Sequence, residues 1–336
     1  MRARAAGAAL ALVLALAGCT AAEAPVETAS GTATSPASTT PTPSRSAVAA
    51  LDCDALLPAS RAQTVLGIPR SDLSGTRDEA VRTSGELIRD SAEENGGALT
   101  CAWYQEAGTA SVIATAAGDA ADAFAAAGLS SGSRLATEVE AYSSCAVETC
   151  DVDLLAGTTW VTLTLTGAPA EADLAALASE TAAAATGALD EPVTAAAPVC
   201  AEVLSPEELA GTAGLGEAAP GTGTEGTVPT TASAAAASRA GYVSCTWTDP
   251  SSSTYSGLSI DALPNGDDGW RNLSLTSGLG ITLTPLDGIG DKALSGCADG
   301  SCEIDVLADG VWWRVLVTGD EAEAVAVARA VVARAA

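Results

Sequence analysis

A stretch that ends in tryptophan occurs twice in this chain, and no other feature limits its fold so strongly. The first copy runs Cys145-Ala-Val-Glu-Thr-Cys150-Asp-Val-Asp-Leu-Leu-Ala-Gly-Thr-Thr-Trp160. The second runs Cys297-Ala-Asp-Gly-Ser-Cys302-Glu-Ile-Asp-Val-Leu-Ala-Asp-Gly-Val-Trp312. Cys145 and Cys297, Cys150 and Cys302, and Trp160 and Trp312 are each 152 residues apart. An internal repeat of this length implies one structural unit built twice.

The flanking sequence extends the repeat to both ends. Residues 52–189 and 199–336 follow one plan, and a linker at 190–198 carries Pro192 and Pro198. Each half opens with a cysteine and a short helix. In the first, Cys53-Asp-Ala-Leu-Leu-Pro58 leads into a helix ending at Gly67, a left-handed stop. In the second, Cys200 precedes Ser205-Pro-Glu-Glu208, a capping box with proline at the first helical position. A Cys-x-Trp strand follows, Cys101-Ala-Trp103 and Cys245-Thr-Trp247, with hairpin partners at 111–116 and 258–263. Further strands are predicted at 135–145, 150–156, 159–166, 281–285, 303–307 and 311–318. Pro264–Gly269 reads as a turn, 119–127 as a short helix, and helices at 171–186 and 321–333 close the halves. Between the first helix and the Cys-x-Trp strand lie two long polar loops, 69–98 and 216–239. Loops of that length are functional or disordered, and their composition favours disorder, apart from a short helix around Asp78–Arg82. The expected fold class is α+β: two similar domains, each an antiparallel sheet packed on one face by its first and last helices.

Ahead of the repeats, residues 1–18 read as a lipoprotein signal peptide. Arg2 and Arg4 precede an uninterrupted Ala/Gly/Leu/Val run, and Leu16-Ala17-Gly18-Cys19 closes it. The run is too short to span a bilayer as a mature helix, and its flanks are those of a cleaved targeting segment. Cys19 would carry diacylglycerol through a thioether, and two or three acyl chains there anchor a protein firmly where one does not. Residues 19–51 then form a Thr/Ser/Pro tether with too little apolar surface to fold.

Nine cysteines divide into Cys19 and four per half. Even sets in an exported chain imply disulfides. Four cysteines allow three pairings in each half and sequence alone does not choose among them; the expected pairs are Cys53–Cys101, Cys145–Cys150, Cys200–Cys245 and Cys297–Cys302. In the chain-entropy model the long loops contribute about 4 kcal/mol each and the short ones about 2. Four-cysteine zinc sites are the alternative, but no two cysteines stand two residues apart.

Composition narrows the function. The formal charge is −27, which disfavours nucleic acid and charge-driven docking on anionic lipid. The chain holds fourteen arginines, one lysine, abundant alanine and no histidine. The arginine and alanine bias fits a GC-rich actinobacterial genome. Without histidine the commonest general base and zinc ligand are missing. Gly128-Leu-Ser130-Ser-Gly132 has the form of a hydrolase elbow but no histidine to take the serine proton, and Lys292 beside Asp291 is the only lysine for a dyad. Asn265, Asp267 and Asp268 lack the full calcium-loop pattern and read as a turn. Trp103, Trp160, Trp247 and Trp312 stand at matching positions and read as core anchors. Trp270 and Trp313 lack counterparts and read as candidates for a surface or pocket contact.

The signal, the tether, the Cys-x-x-Leu-Leu-Pro helix at Cys53, the Cys-x-Trp strands and Gly288-Ile-Gly-Asp291 together resemble uncharacterised actinobacterial lipoproteins that carry a domain of unknown function. The first half lacks the Gly-x-Gly-Asp. The resemblance implies a duplicated extracytoplasmic α+β domain and carries no catalytic residues. The expected function is non-enzymatic, with no cofactor: a lipid-anchored protein on the outer face of the membrane, binding a ligand or a partner protein in the envelope. An acid-based hydrolase of envelope glycans would instead show two close carboxylates in a cleft, one with a raised pKa. A structural spacer would show no cleft. Mass spectrometry of the unreduced protein is expected to find no free thiol among the eight cysteines of the repeats; eight free thiols would rule out the disulfides.

Overall fold

Thr159-Trp-Val-Thr-Leu-Thr-Leu-Thr166 alternates side chains between two faces, as any strand must, and both faces of its sheet are used. The computed structural model describes residues 50–75, 83–215, 223–248, 257–275 and 281–335. The signal, Cys19, nearly all of the tether and the helix expected at Asp78–Arg82 lie outside these residues.

The first half comprises α1 (Cys53–Leu56), α2 (Ala59–Leu66), β1 (Leu73–Ser74), α3 (Ser84–Asn95), β2 (Ala98–Gln105), β3 (Ser111–Ala117), α4 (Ala121–Ala126), β4 (Ser133–Arg134), β5 (Glu140–Cys145), β6 (Thr149–Ala156), β7 (Thr159–Thr166) and α5 (Leu174–Ala184). The second comprises α6 (Cys200–Val203), α7 (Pro206–Thr212), α8 (Ala232–Arg239), β8 (Val243–Thr248), β9 (Gly257–Pro264), α9 (Asp267–Trp270), β10 (Thr284–Pro285), β11 (Lys292–Ala298), β12 (Ser301–Ala308), β13 (Val311–Thr318) and α10 (Glu321–Ala335). Both sheets are antiparallel, ordered β1-β2-β3-β7-β6-β5-β4 and β10-β11-β12-β13-β9-β8. From β2 to β7 and from β8 to β13 the order is the same, so the chain is α+β with two similar halves.

On one face of each sheet the expected packing is present. Val112, Val152, Leu154, Leu163 and Leu165 meet Leu56, Val65 and Leu177 of α1, α2 and α5. Ile260, Ile304, Val306 and Val315 meet Val203, Leu209 and Val327 of α6, α7 and α10. All four expected disulfides form. Cys53–Cys101 and Cys200–Cys245 tie the opening helix of each half to its Cys-x-Trp strand, with Cα atoms 5.4 and 5.6 Å apart. Cys145–Cys150 and Cys297–Cys302 join opposed residues at hairpin ends.

The other face overturns the expectation of disordered loops. Residues 84–95 and 232–239 of those loops are the helices α3 and α8, and each packs on the sheet of the opposite half. Leu87, Ile88 and Ala92 of α3 lie against Leu263, Leu307 and Trp312 of the second sheet. Ala232, Ala235 and Ala236 of α8 lie against Ala117, Phe124 and Trp160 of the first. Thr83 caps α3 in a capping box with Glu86, and Thr231 caps α8. Where the two helices meet, a Cβ on Gly96 would strike the Ala236 backbone. Arg239, at the end of α8, donates to Gly96 O and Gly118 O of the first half. Asn95, at the end of α3, donates to Asn265 O of the second at 3.0 Å. The linker joins this seam, since Val193 N donates to Asn95 O and Ala195 N to Arg239 O.

Trp270 and Trp313 are not surface or pocket residues; they are 8% and 4% exposed. Trp270 meets Trp312 edge to face at 5.9 Å, as Phe124 meets Trp160 at 5.5 Å, so Phe124 is its counterpart. Trp160, Trp247 and Trp312 are core anchors as expected, whereas Trp103 is half-buried under Arg70 and donates to Leu57 O. Strand β11 was not anticipated, because Lys292-Ala-Leu-Ser-Gly-Cys-Ala298 has no β-branched residue. The strand expected at 281–285 shrinks to Thr284–Pro285, and α9 begins inside the expected turn.

Each half therefore completes the core of the other, and the two should unfold together. Ile88→Ala, in the first half, is expected to cost about 2–4 kcal/mol and to lower one shared melting transition monitored by tryptophan emission. Two separate transitions with the later one unmoved would contradict the exchange.

Candidate functional site

The face covered by the exchanged helices is apolar only at one end. In the first sheet Ala117, Leu155 and Trp160 lie under α8, while Thr100, Thr115, Asp151, Asp153, Thr162 and Thr164 continue the same face by strand alternation. In the second sheet the corresponding positions are Ser244, Asp261, Glu303, Asp305, Arg314 and Leu316. The halves thus share a plan but differ in charge, and this difference shapes the site.

In the second half, Arg314 fills the space beneath the first turn of α3. Its guanidinium donates to Asp261 Oδ2 at 3.0 Å, to Glu303 Oε2 at 2.6 Å and to Ser84 Oγ at 2.9 Å. Ser84 in turn donates to Glu303. A Cβ on Gly85 would come within 3.2 Å of the guanidinium, so the missing side chain makes room for it. Burial alone would favour loss of the arginine proton, but Glu303 and Asp261 more than offset it and its pKa is raised. Tyr242 donates to Asp261 at 3.1 Å, and burial pushes its phenol up.

In the first half the arginine is replaced by Thr162, the aspartate by Thr115 and the glycine by Ser233. Thr162 Oγ accepts from Ala232 N, the first residue of α8, at 2.8 Å. It also donates to Asp153 at 2.6 Å. With these short side chains a groove of about 820 Å³ opens between the sheet and the exchanged helices. Thr100, Thr115, Thr162 and Thr164 floor it, Ile113 and Tyr104 add apolar surface, and Asp90, Glu93 and Glu94 of α3 form a wall. A second hollow, about 470 Å³, is lined by residues of α3 and α8 and by Tyr242. Asp90, Glu93, Thr231 and Ser233 border both.

Glu93 is the central carboxylate. Ser233 of α8 and Thr100 of β2 both donate to it. Burial raises its pKa and the neighbouring Asp90 charge adds to this, while the Ser233 and Thr100 hydrogen bonds oppose the rise. Deeper in the sheets, Trp160 and Trp312 each donate to a buried aspartate, Asp153 and Asp305, at 2.8 Å. Burial raises the pKa of both, and for Asp305 the Glu303 charge reinforces it. Asp305 Oδ2 has no hydrogen-bond partner among the described residues.

None of the polar residues singled out in the sequence enters the groove. Ser130 is exposed on a short 3₁₀ turn. Lys292 is exposed at the start of β11. Asn265 is a turn residue with positive φ, and Asp268 pairs with Arg271. The groove residues were missed because they sit in the loops read as disordered or on strand positions that looked like plain sheet surface. The one available signal was the alternation in Thr162-Leu-Thr164. Comparison with known protein families, curated proteins and solved structures found no match.

The buried aspartates set a pH dependence. A carboxyl with a raised native pKa holds its proton more tightly when folded. Its contribution is complete below the unfolded value near 4 and is lost as pH rises through the native value. Thermal stability should therefore fall from pH 4 upward through this window. Asp305→Asn, which keeps an acceptor for Trp312, is expected to flatten the fall and to raise the melting temperature at pH 8 by several degrees. An unchanged pH profile would refute the assignment.

Proposed function

We propose that the chain is a lipid-anchored extracytoplasmic binding protein of the actinobacterial envelope, whose ligand sits in the groove between α3, α8 and the first sheet. The observation that carries this reading is the groove itself. It is of ligand size, and it is built jointly by both halves. Its floor presents hydroxyls and its wall carboxylates. Four disulfides fit an oxidising compartment. Cys19 remains the proposed point of lipid attachment and the membrane contact.

Glu93 and Asp90 favour a second reading, the acid-based hydrolase of envelope glycans. They are carboxylates in a cleft, and one has a raised pKa. The geometry fits binding better. Residues three apart on a helix lie on one face, whereas the two carboxyls of a glycosidase flank the scissile bond from opposite sides.

Cys19→Ser is expected to move the protein from the membrane fraction to the culture medium; retention on the membrane would refute the anchor. A photo-crosslinker at position 164 should capture a discrete envelope component on whole cells, and one at Ala176, exposed on α5, should not. Equal capture from both positions would remove the groove from the binding reading. Release of reducing sugar from envelope glycans, abolished by Glu93→Gln, would replace binding with hydrolysis.

A further inference from the structure

The hairpin at Cys145–Cys150 is closed differently from its copy at Cys297–Cys302. Both bridges join directly opposed residues of adjacent strands, with Cα atoms 4.0 and 4.1 Å apart. In the second copy the tip is Asp299-Gly300, and both residues have positive φ, 52° and 79°. Such a turn matches the twist of the strands it joins, so it holds this hairpin shut independently of the bridge. In the first copy the tip is Val147-Glu148, and neither residue has positive φ. Val147 is fully exposed. Two backbone hydrogen bonds hold this tip, from Ala146 N to Thr149 O and from Gly167 N to Glu148 O. The bridge here does the closing that the turn does in the second copy.

Cover differs as well. Cys145 is exposed and Cys150 half-buried. Each of the other three bridges has at least one buried residue: Cys101, Cys302, or both Cys200 and Cys245. An incoming thiolate must reach a sulfur to exchange with it, and Cys145–Cys150 is the bridge that offers one without a buried end. We infer that Cys145–Cys150 is a thiol–disulfide exchange site whose co-reactant is a dithiol, and that the other three bridges are structural. The bridge packs on the core beneath α1, α2 and α5, on the sheet face opposite the groove, so the inference does not rest on the binding reading.

The exchange runs in two steps. One thiolate of the dithiol attacks Cys145 Sγ; the bond between the two sulfurs breaks, its electron pair leaves on Cys150 Sγ, and that thiolate takes up a proton. The second thiolate of the dithiol then attacks the mixed disulfide at the dithiol's own sulfur and expels Cys145, which is protonated in turn. Two electrons and two protons have passed to the chain, and the dithiol has become a disulfide; in reverse, an oxidised co-reactant closes the bridge. Cys150 can also undo the first step by attacking the mixed disulfide at Cys145, and a turn that holds the strands together favours that return. A tip without such a turn favours completion. Beyond the bridge the pairs Ser144–Asp151 to Glu140–Leu155 continue the ladder, so reduction frees the tip and leaves the sheet in place.

The test adds reduced thioredoxin, a dithiol too large to reach a covered bridge, to the intact oxidised protein without denaturant. Freed thiols are trapped with iodoacetamide and located by peptide mass spectrometry. Cys145 and Cys150 are expected to label at least tenfold faster than Cys297 and Cys302, with tryptophan emission unchanged. Val147→Asp combined with Glu148→Gly gives the first hairpin the tip of the second and should slow that labelling at least threefold. Equal labelling of the two hairpins, labelling of neither, labelling that comes only with loss of native emission, or a double variant that labels as fast as its parent would each overturn the inference. Should the double variant fail to fold, the comparison of the two hairpins in the unaltered chain decides the matter.

Discussion

The structure depends on two tryptophans that neither half can bury alone. Trp160 and Trp312 are fully buried on the sheet face opposite the first and last helices of their own halves, each with one aromatic of its own half, Phe124 or Trp270, at its edge. Each is covered by a helix contributed by the other half. A large indole left in water would forfeit a sizeable part of the hydrophobic gain that stabilises a half this small. Helix α8, eight residues of mostly alanine and serine, is far too short to hold together by itself. Tryptophan and helix therefore stabilise one another only when the halves are assembled, which makes the seam a shared core rather than a contact between two finished domains.

The aspartate beneath each tryptophan follows from the same burial. An indole N–H cannot be buried without an acceptor at low cost, and Asp153 and Asp305 supply one. A carboxylate placed so deep would be expensive to keep charged, so burial pushes both toward the protonated form. The repeat kept the Asp and Trp pair at one spacing because it is a single structural device. The neighbouring positions were free to diverge. One half placed a charged cluster beneath its borrowed helix and became solid there; the other placed threonines and retained a groove. The repeat has two equivalent places, and short threonines at 115 and 162 in one, against Asp261 and Arg314 in the other, separate an open site from a filled one.

Much of the fold was legible because it is written in local pattern. The alternation in Thr159–Thr166 and Val311–Thr318, the capping box at Ser205 and the left-handed stop at Gly67 each specify an element through a few neighbouring residues. The matched cysteines showed that each half holds two disulfides, while the choice among three pairings was made by the fold. What could not be read was the partner of each element. Ser84–Asn95 carries several acidic residues and two apolar anchors, Leu87 and Ile88, a weak periodic signal that dissolves into its polar surroundings. Trp270 looked unmatched because its counterpart, Phe124, is a different aromatic residue on a short helix of unrelated sequence.

The repeat, most of the strands and the acidic character of the chain could be read before any folding, since all of these arise from matched stretches, local alternation or composition. Only the tertiary structure decided which half each helix would cover, and so where the groove lies. That choice is made by hydrophobic burial between segments more than a hundred residues apart, and burial has no direction along the chain: it is set by which surfaces remain uncovered once every local element has formed.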